Sequence, residues 1–450
     1  MDTPICDFVN RYYKSGVSRL HMPGHKGNAL LGCEPLDITE VAGADELYEP
    51  QGIIAQSEQN ATALFGTAHT FYSTEGSSHC IRAMLRLATE QWDTAKDGPP
   101  LILAARNAHK AFITAAALLD LDVAWLWPQQ QSLCSCPVSA QQLKQAFAVQ
   151  TRRPCAVYVT SPDYLGGMQD IAALAVVCQF FGVPLLVDNA HGAYLRFLQP
   201  SQHPIGLGAT ACCDSAHKTL PVLTGGAYLH ISTAAPQNYT ANARQALALF
   251  GSTSPSYLIL QSLDAANRYL AMDYPAKLAQ CAGQVALLTA QLQQKGWVVA
   301  GQEPLKLTLN AAAAGTTGYA VAQKLRRAAV ECEYADPHFA VLMFAPGNKQ
   351  QDFQRVYEAL GQVNYNIGQQ LQPHKNTLQA PPVQAMRVRN AMLAPHEGIE
   401  IEQALGRVCG SPMVSCPPAI PIVSSGEVFG EHEIALCRFY GVQKVDVVAK

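Results

Sequence analysis

Ala209-Thr210-Ala211-Cys212-Cys213-Asp214-Ser215-Ala216-His217-Lys218-Thr219 carries an apolar run, Ala209 to Cys213, straight into a short polar turn that holds a lysine. Upstream, Val183 to Val187 ends the same way in Asp188-Asn189-Ala190-His191, so an aspartate precedes the lysine by thirty residues. Both runs read as buried strands, and the carboxyl end of a strand is where open α/β sheets bind ligands. An aspartate and a lysine at two such ends point to pyridoxal phosphate. That cofactor needs a lysine amine for its aldehyde, and a fixed carboxylate to keep its pyridine nitrogen protonated so that the ring withdraws electrons. Each residue alone has a plainer reading, because an aspartate after a strand often caps a helix and a lysine is usually just solvated.

Neighbouring segments strengthen the pair. Thr70 to Ser73 is a third strand-like run, opening into Thr74-Glu75-Gly76-Ser77-Ser78-His79 and then an amphipathic stretch, Cys80 to Glu90. Small hydroxyl residues and a glycine at a helix N-terminus make an anion site, since free N–H groups and the helix dipole both favour a phosphate. The Gly-Lys-Ser/Thr ending of a Walker loop is absent. Leu101 to Ala105 leads into Arg106-Asn107-Ala108-His109-Lys110, where His109 is either a helix-cap histidine or a flat ring placed to stack on a flat cofactor. Ala156 to Thr160 ends in the turn-rich Ser161-Pro162-Asp163-Tyr164-Leu165-Gly166-Gly167 at the same edge.

Six ordered blocks together resemble a known family. They are His21-Met22-Pro23-Gly24-His25-Lys26-Gly27, Asp45-Glu46-Leu47-Tyr48, Ser73 to Ser78, Arg106 to Lys110, Asp188 to Gly192, and Ser215 to Lys218. The family is the ornithine/lysine/arginine decarboxylases that use pyridoxal phosphate, in the short form without an N-terminal wing domain. The resemblance covers nearly the whole chain. It implies an α/β fold of type I (aspartate-aminotransferase-like), with a mostly parallel sheet in the large domain and a smaller C-terminal α/β domain. It also implies that Lys218 carries the cofactor, Asp188 partners its ring nitrogen and His109 stacks on the ring. Gly76, Ser77, Ser78, Ser215 and His217 resemble the phosphate cradle. The stretch Gly251-Ser252-Thr253-Ser254-Pro255 matches one that reaches the phosphate of the neighbouring subunit, so Thr253 is expected to act across a homodimer or larger homo-oligomer with shared sites.

Some positions depart from the family pattern. Glu75 stands where asparagine is common, placing a carboxylate beside a phosphate, and His191 stands where the long enzymes often have tryptophan. The C-terminal block, Ala404 to Val408, Cys416 to Pro421 and Ser424 to Glu427, matches in part, with Ala419 and Ser425 in place of the usual glycine and proline.

Composition is that of an ordinary enzyme. The chain has 450 residues, 49% hydrophobic and 14% charged, enough to bury large cores. A formal net charge of −3 argues against a nucleic-acid partner. The fourteen cysteines include no Cys-x-x-Cys pair and no matching Cys/His cluster, so reduced, mostly buried thiols and no metal are expected. His21 and His25 have a ligand-like spacing, but Pro23 and Gly24 break the helix that would put them on one face. Met1 to Gly16 has no apolar signal core, and Ile171 to Val187 is interrupted by Gln179, Gly182 and Pro184, so it reads as a buried helix, a turn and a central strand rather than a membrane span. A cytoplasmic location is expected.

The layout expected is an N-terminal arm over residues 1–45, a cofactor-binding large domain over 46–270 and a small domain over 271–450. Helices are expected at Ser256 to Met272, Ala286 to Gln294 and Gly318 to Val330, strands at Leu305 to Asn310 and Val341 to Ala345, and a surface connection at 370 to 385. The reaction the resemblance implies is decarboxylation of a basic amino acid to its amine, with His217 and Lys218 as proton donors and His109 limiting ring tilt. Asp45, Glu46, Glu75 and Glu427 are candidate partners for the substrate's distal cation, and each could equally be a solvated or helix-capping residue. Among arginine, lysine and ornithine, analogy leans to arginine. Two other readings stay open. One is a fold type I aminotransferase or other lyase, with Arg387, Arg389 or Arg407 holding the substrate carboxylate. The other is a cofactor-binding protein with a regulatory or structural role.

Overall fold

The computed structural model describes residues 1–128, 133, 135–361, 380–414 and 420–450. Positions 370–379 of the expected connection, Cys134, and Cys416 to Ala419 of the C-terminal block lie outside the described residues. The first seven strands are β1 (His69–Ser73), β2 (Leu101–Ala105), β3 (Asp122–Leu126), β4 (Ala156–Thr160), β5 (Leu185–Asp188), β6 (Ala211–Asp214) and β7 (Ala227–Ile231). Packing divides the chain into two compact units, residues 1–92 with 178–276 and residues 93–177 with 277–450.

In the first unit the strand order is β1-β7-β6-β5. β5 and β6 are parallel, whereas β7 is antiparallel to both β6 and β1. The register pairs Ser73 with Ala227, Asp214 with Tyr228 and Asp188 with Cys213. The carboxyl ends of β1, β5 and β6 and the amino end of β7 therefore share one edge. β5, β6 and β7 are buried along their whole length, as strands covered on both faces must be. The expected amphipathic stretch is the helix Gly76–Thr89, which buries Cys80, Ile81, Met84 and Leu87 on one side. A helix at Pro4–Lys14 was not foreseen, although Pro4 at its first position and the buried pair Ile5 and Val9, four apart, are its sequence signals. The helix Tyr257–Ala271 matches expectation, capped by Ser256.

In the second unit β4, β2 and β3 are parallel neighbours in that order. β8 (Val299–Ala300), β9 (Lys306–Asn310), β10 (Tyr334–Ala335) and β11 (Phe339–Met343) form an antiparallel sheet ordered β10-β11-β9-β8. Two further pairs join β12 (His396–Glu400) to β15 (Lys444–Val448) and β13 (Met413–Val414) to β14 (Val423–Ser424). The helix expected from Ala286 is the end of a longer one, Tyr274–Gln294, whose Pro275 sits in the first turn where no N–H is needed. The helix Gly318–Arg327 stops short of Val330 because Ala329 adopts a left-handed conformation, φ 57°, and Val330 N–H turns back to Leu325 O at 2.9 Å. No helix among the described residues is long and apolar enough to cross a membrane.

A fully buried ion pair ties this unit together. Arg106, just after β2, donates from Nη1 and Nη2 to the two carboxylate oxygens of Glu427 at 2.6 and 2.8 Å. Its guanidinium lies 4.9 and 4.4 Å from the ring centres of Trp125 and Trp127. Neither side chain reaches water, so removing one partner strands a buried charge. Glu427→Ala is expected to cost about 3–5 kcal/mol of unfolding free energy, read from urea denaturation.

Candidate active site

Four short segments of the first unit meet the edge where β1, β5 and β6 end. After β1, Gly76 has φ 72° and donates its N–H to Gly225 O at 2.7 Å. Glu75 occupies the N-cap of the helix Gly76–Thr89 without making a side-chain cap. The first-turn N–H groups at Ser77 and Ser78 are thus left for an anion. After β6, Ser215 Oγ donates to Ser77 Oγ at 2.8 Å, joining the two parts of the expected phosphate cradle. His217 Nδ1 is 3.0 Å from Gly226 O. A carbonyl only accepts, so that nitrogen carries the proton and the ring is held by it. Lys218 is exposed, with Nζ 3.1 Å from Nε2 of the buried His191. After β5, Asp188 is 2% exposed and its Oδ1 accepts from Ala190 N–H at 3.2 Å, with the Cys213 thiol at 3.7 Å. His191 thus joins the group that sequence reasoning had marked only as a departure from the family pattern.

The loop 251–255 is held on the same unit. Glu75 Oε1 accepts from Ser252 N–H at 2.6 Å, which gives the unusual carboxylate a partner, and Thr253 is exposed. A Cβ on Gly251 would collide with the Tyr48 hydroxyl, and Tyr48 in turn meets His79 edge to face. His79 is neutral, because burial lowers its pKa, with Nε2 donating to Leu247 O at 2.7 Å and Nδ1 facing Ser73 Oγ at 2.8 Å. The Asp45 to Tyr48 block and the 251–255 block are therefore one packed feature.

Of the two readings open for each carboxylate, the structure gives Asp45 the helix-capping one, and it gives Glu427 a partner within the fold. Asp45 accepts the backbone N–H groups of Gln51, Gly52 and Ile54 at 2.8 to 3.0 Å, ahead of the helix Ile53–Phe65. Glu427 is consumed by Arg106. Glu46 is exposed. The three arginines that kept the aminotransferase reading open are also engaged within the second unit. Arg387 pairs with Asp120 and Asp122, Arg389 binds the carbonyls of Ala117 and Leu118, and Arg407 holds Glu397 and Val448 O. His109, also in the second unit, follows β2 and accepts Ala111 N–H at Nδ1, capping the helix Lys110–Leu118.

The chain matches the major domain of the Orn/Lys/Arg decarboxylases over residues 3–304. It is 28% identical over 470 residues to the arginine decarboxylase of Bacillus subtilis (strain 168), covering 96% of this chain and 92% of that protein. It is 26% identical over 473 residues to the arginine decarboxylase of Halalkalibacterium halodurans, covering 97% and 93%. The solved structure of the constitutive lysine decarboxylase of Escherichia coli superposes with a TM-score of 0.78 at 17% identity, covering 100% of this chain and 82% of that one. The fold is accordingly the α/β type I fold, with the mostly parallel strands described above.

Pyridoxal phosphate fits this donor set on chemical grounds. Uncapped helix N–H groups with paired serines suit its phosphate, a buried carboxylate suits its ring nitrogen, and an exposed amine suits its aldehyde. The packing of Tyr48 on Gly251 is directly testable. Gly251→Ala is expected to lose about 1–3 kcal/mol in urea denaturation, with part of the loss recovered when Tyr48→Phe removes the colliding hydroxyl.

Proposed function

The chain belongs to the Orn/Lys/Arg decarboxylase family and is a pyridoxal-phosphate-dependent basic amino acid decarboxylase, and from that premise we propose that its substrate is arginine. What carries the choice is near-full-length similarity to two proteins named arginine decarboxylase. A role in polyamine metabolism goes with the amine product.

We assign the residues as follows. Lys218 Nζ would hold the cofactor aldehyde, with His191 Nε2 at 3.1 Å as its neighbour. Asp188 fixes the ring nitrogen, a role suited to a buried carboxylate at the end of β5. Gly76, Ser77, Ser78, Ser215 and His217 bind the phosphate, and Thr253 serves the site of a neighbouring subunit. His109 would stack on the ring, the role the family resemblance implies for it. The bound cofactor supplies an electron sink for the pair left on the α-carbon when carbon dioxide departs. His217 and Lys218 return the proton to that carbon. With Arg387, Arg389 and Arg407 committed to other partners, the aminotransferase reading loses the residues that favoured it.

A homodimer or larger homo-oligomer is supported by apolar side chains on the N-terminal segment, where Leu20 is 93% and Leu31 90% exposed beside Met22 and Leu30. A cytoplasmic location is supported by the twelve described cysteines, all free thiols. The layout of an arm over 1–45, a large domain over 46–270 and a small domain over 271–450 remains part of the proposal.

The purified protein with pyridoxal phosphate is expected to release carbon dioxide from arginine, with the matching amine detected by mass. Release from lysine or ornithine instead would displace the substrate assignment. Lys218→Ala is expected to abolish borohydride trapping of the cofactor and turnover alike, whereas Asp188→Asn should keep trapping and lower kcat by on the order of 10²–10³.

A further inference from the structure

Asp214 closes β6 one residue before Ser215, and its carboxylate is fully buried. Oδ2 accepts Nε2–H bonds from His203 and His230, both at 3.1 Å, and Oδ1 accepts Nδ2–H from Asn189 at 2.7 Å. Burial alone pushes this carboxyl up, but the two facing imidazoles outweigh it and hold the group below the usual carboxylate range. Burial also lowers the pKa of His230, whose Nδ1 faces Thr70 Oγ1 at 2.9 Å. His203 is fully buried too, and its Nδ1 has no hydrogen-bond partner among the described residues. An apolar set of similar volume would often stabilise a core as well as a buried polar cluster does. Stability alone does not account for these four side chains.

Asn189 shows what they hold. Besides gripping Asp214, it donates its N–H to Cys213 O at 3.0 Å and accepts Gly192 N–H on its carbonyl at 2.7 Å. These bonds close the turn on which His191 stands. The Asn189 side-chain oxygen also fills the place a Cβ at position 192 would take, so the turn admits only glycine there. His191 Nε2 then meets Lys218 Nζ at 3.1 Å, and Lys218 is four residues along the chain from Asp214. The contacts form a closed ring through Asp214, Asn189, His191 and Lys218.

We propose that Asp214 is a positioning residue for the decarboxylation, which through Asn189 sets the turn bearing His191 and so fixes the place and proton affinity of the Lys218 amine. The inference rests on the assignment of Lys218 made above.

The holoenzyme of Asn189→Ala tests it, because that change opens the ring and spares the bonds between Asp214 and the two histidines. The expected result is a displaced pH midpoint for the absorbance of the lysine-bound cofactor, with kcat lowered about 10–100-fold and KM little changed, the size typical of lost outer-layer support. Asp214→Asn should shift the same midpoint in the same direction; should it fail to fold, Asn189→Ala carries the test alone. An unmoved midpoint with kcat within about twofold of wild type overturns the proposal. So does a lower melting temperature with an unmoved midpoint, which is what a merely structural role would give. Borohydride trapping and peptide mapping of the wild type separate the two levels. An adduct on a lysine other than Lys218 sinks both the assignment and the inference, whereas trapping on Lys218 with an unmoved midpoint sinks the inference alone.

Discussion

The reversal of β7 against both of its neighbours organises the first unit. Were it parallel to β1 and β6, its leading residues would lie at the opposite edge of the sheet. Running the other way, it delivers Gly225 and Gly226 to the edge where β1 and β6 end. Gly225 O takes the N–H of Gly76, and Gly226 O takes both the backbone N–H and the Nδ1–H of His217. Two turns that are far apart in sequence are thus measured against one pair of carbonyls. Gly225 has φ 101°, and a Cβ there would sit 2.8 Å from Thr74 O, so both its conformation and its closeness to the β1 turn require glycine.

Buried charge is sorted by the kind of partner it receives. Backbone N–H groups satisfy Asp45, imidazoles and an amide satisfy Asp214, and a guanidinium satisfies Glu427. Each solution meets the rule that a carboxylate removed from water needs donors on its lone pairs. The difference lies in what is left over. Asp45 and Glu427 are spent within the fold, while Asp188 stands at a strand end beside an exposed lysine turn.

What could be read from the sequence was what is local. The runs ending at Asp188 and Asp214 declare themselves as buried strands, and the hydroxyl-rich turn before Cys80 declares a helix start, because each signal sits within about ten residues. The same reasoning left Asp45 and Glu427 undecided between substrate partner and fold support, because their partners were invisible in local pattern. Glu427 finds Arg106 across 321 residues, and the N–H groups that Asp45 accepts belong to a bend no periodicity announces. β12 escaped notice because the exposed strand His396–Glu400 has no apolar alternation to show, whereas β15 was passed over although Val445 and Val447 alternate with Lys444 and Asp446. His203 and His230 stand in no motif, and only the register placing His230 opposite Cys212 brings it to Asp214.

The wide separation of Arg106 from Glu427 has a consequence for the order in which the molecule is made. A chain leaving the ribosome folds from its N-terminal side as units become complete. Every residue of the first unit, including the turns bearing Asp188 and Lys218, exists once residue 276 has emerged. The second unit begins at residue 93, yet its guanidinium waits for a carboxylate 321 residues further along the chain. Until residue 427 exists Arg106 has no carboxylate to be buried with, and closing Trp125 and Trp127 over it would strand a charge. Burial of that arginine therefore has to follow the synthesis of residue 427, well after the last residue of the first unit exists.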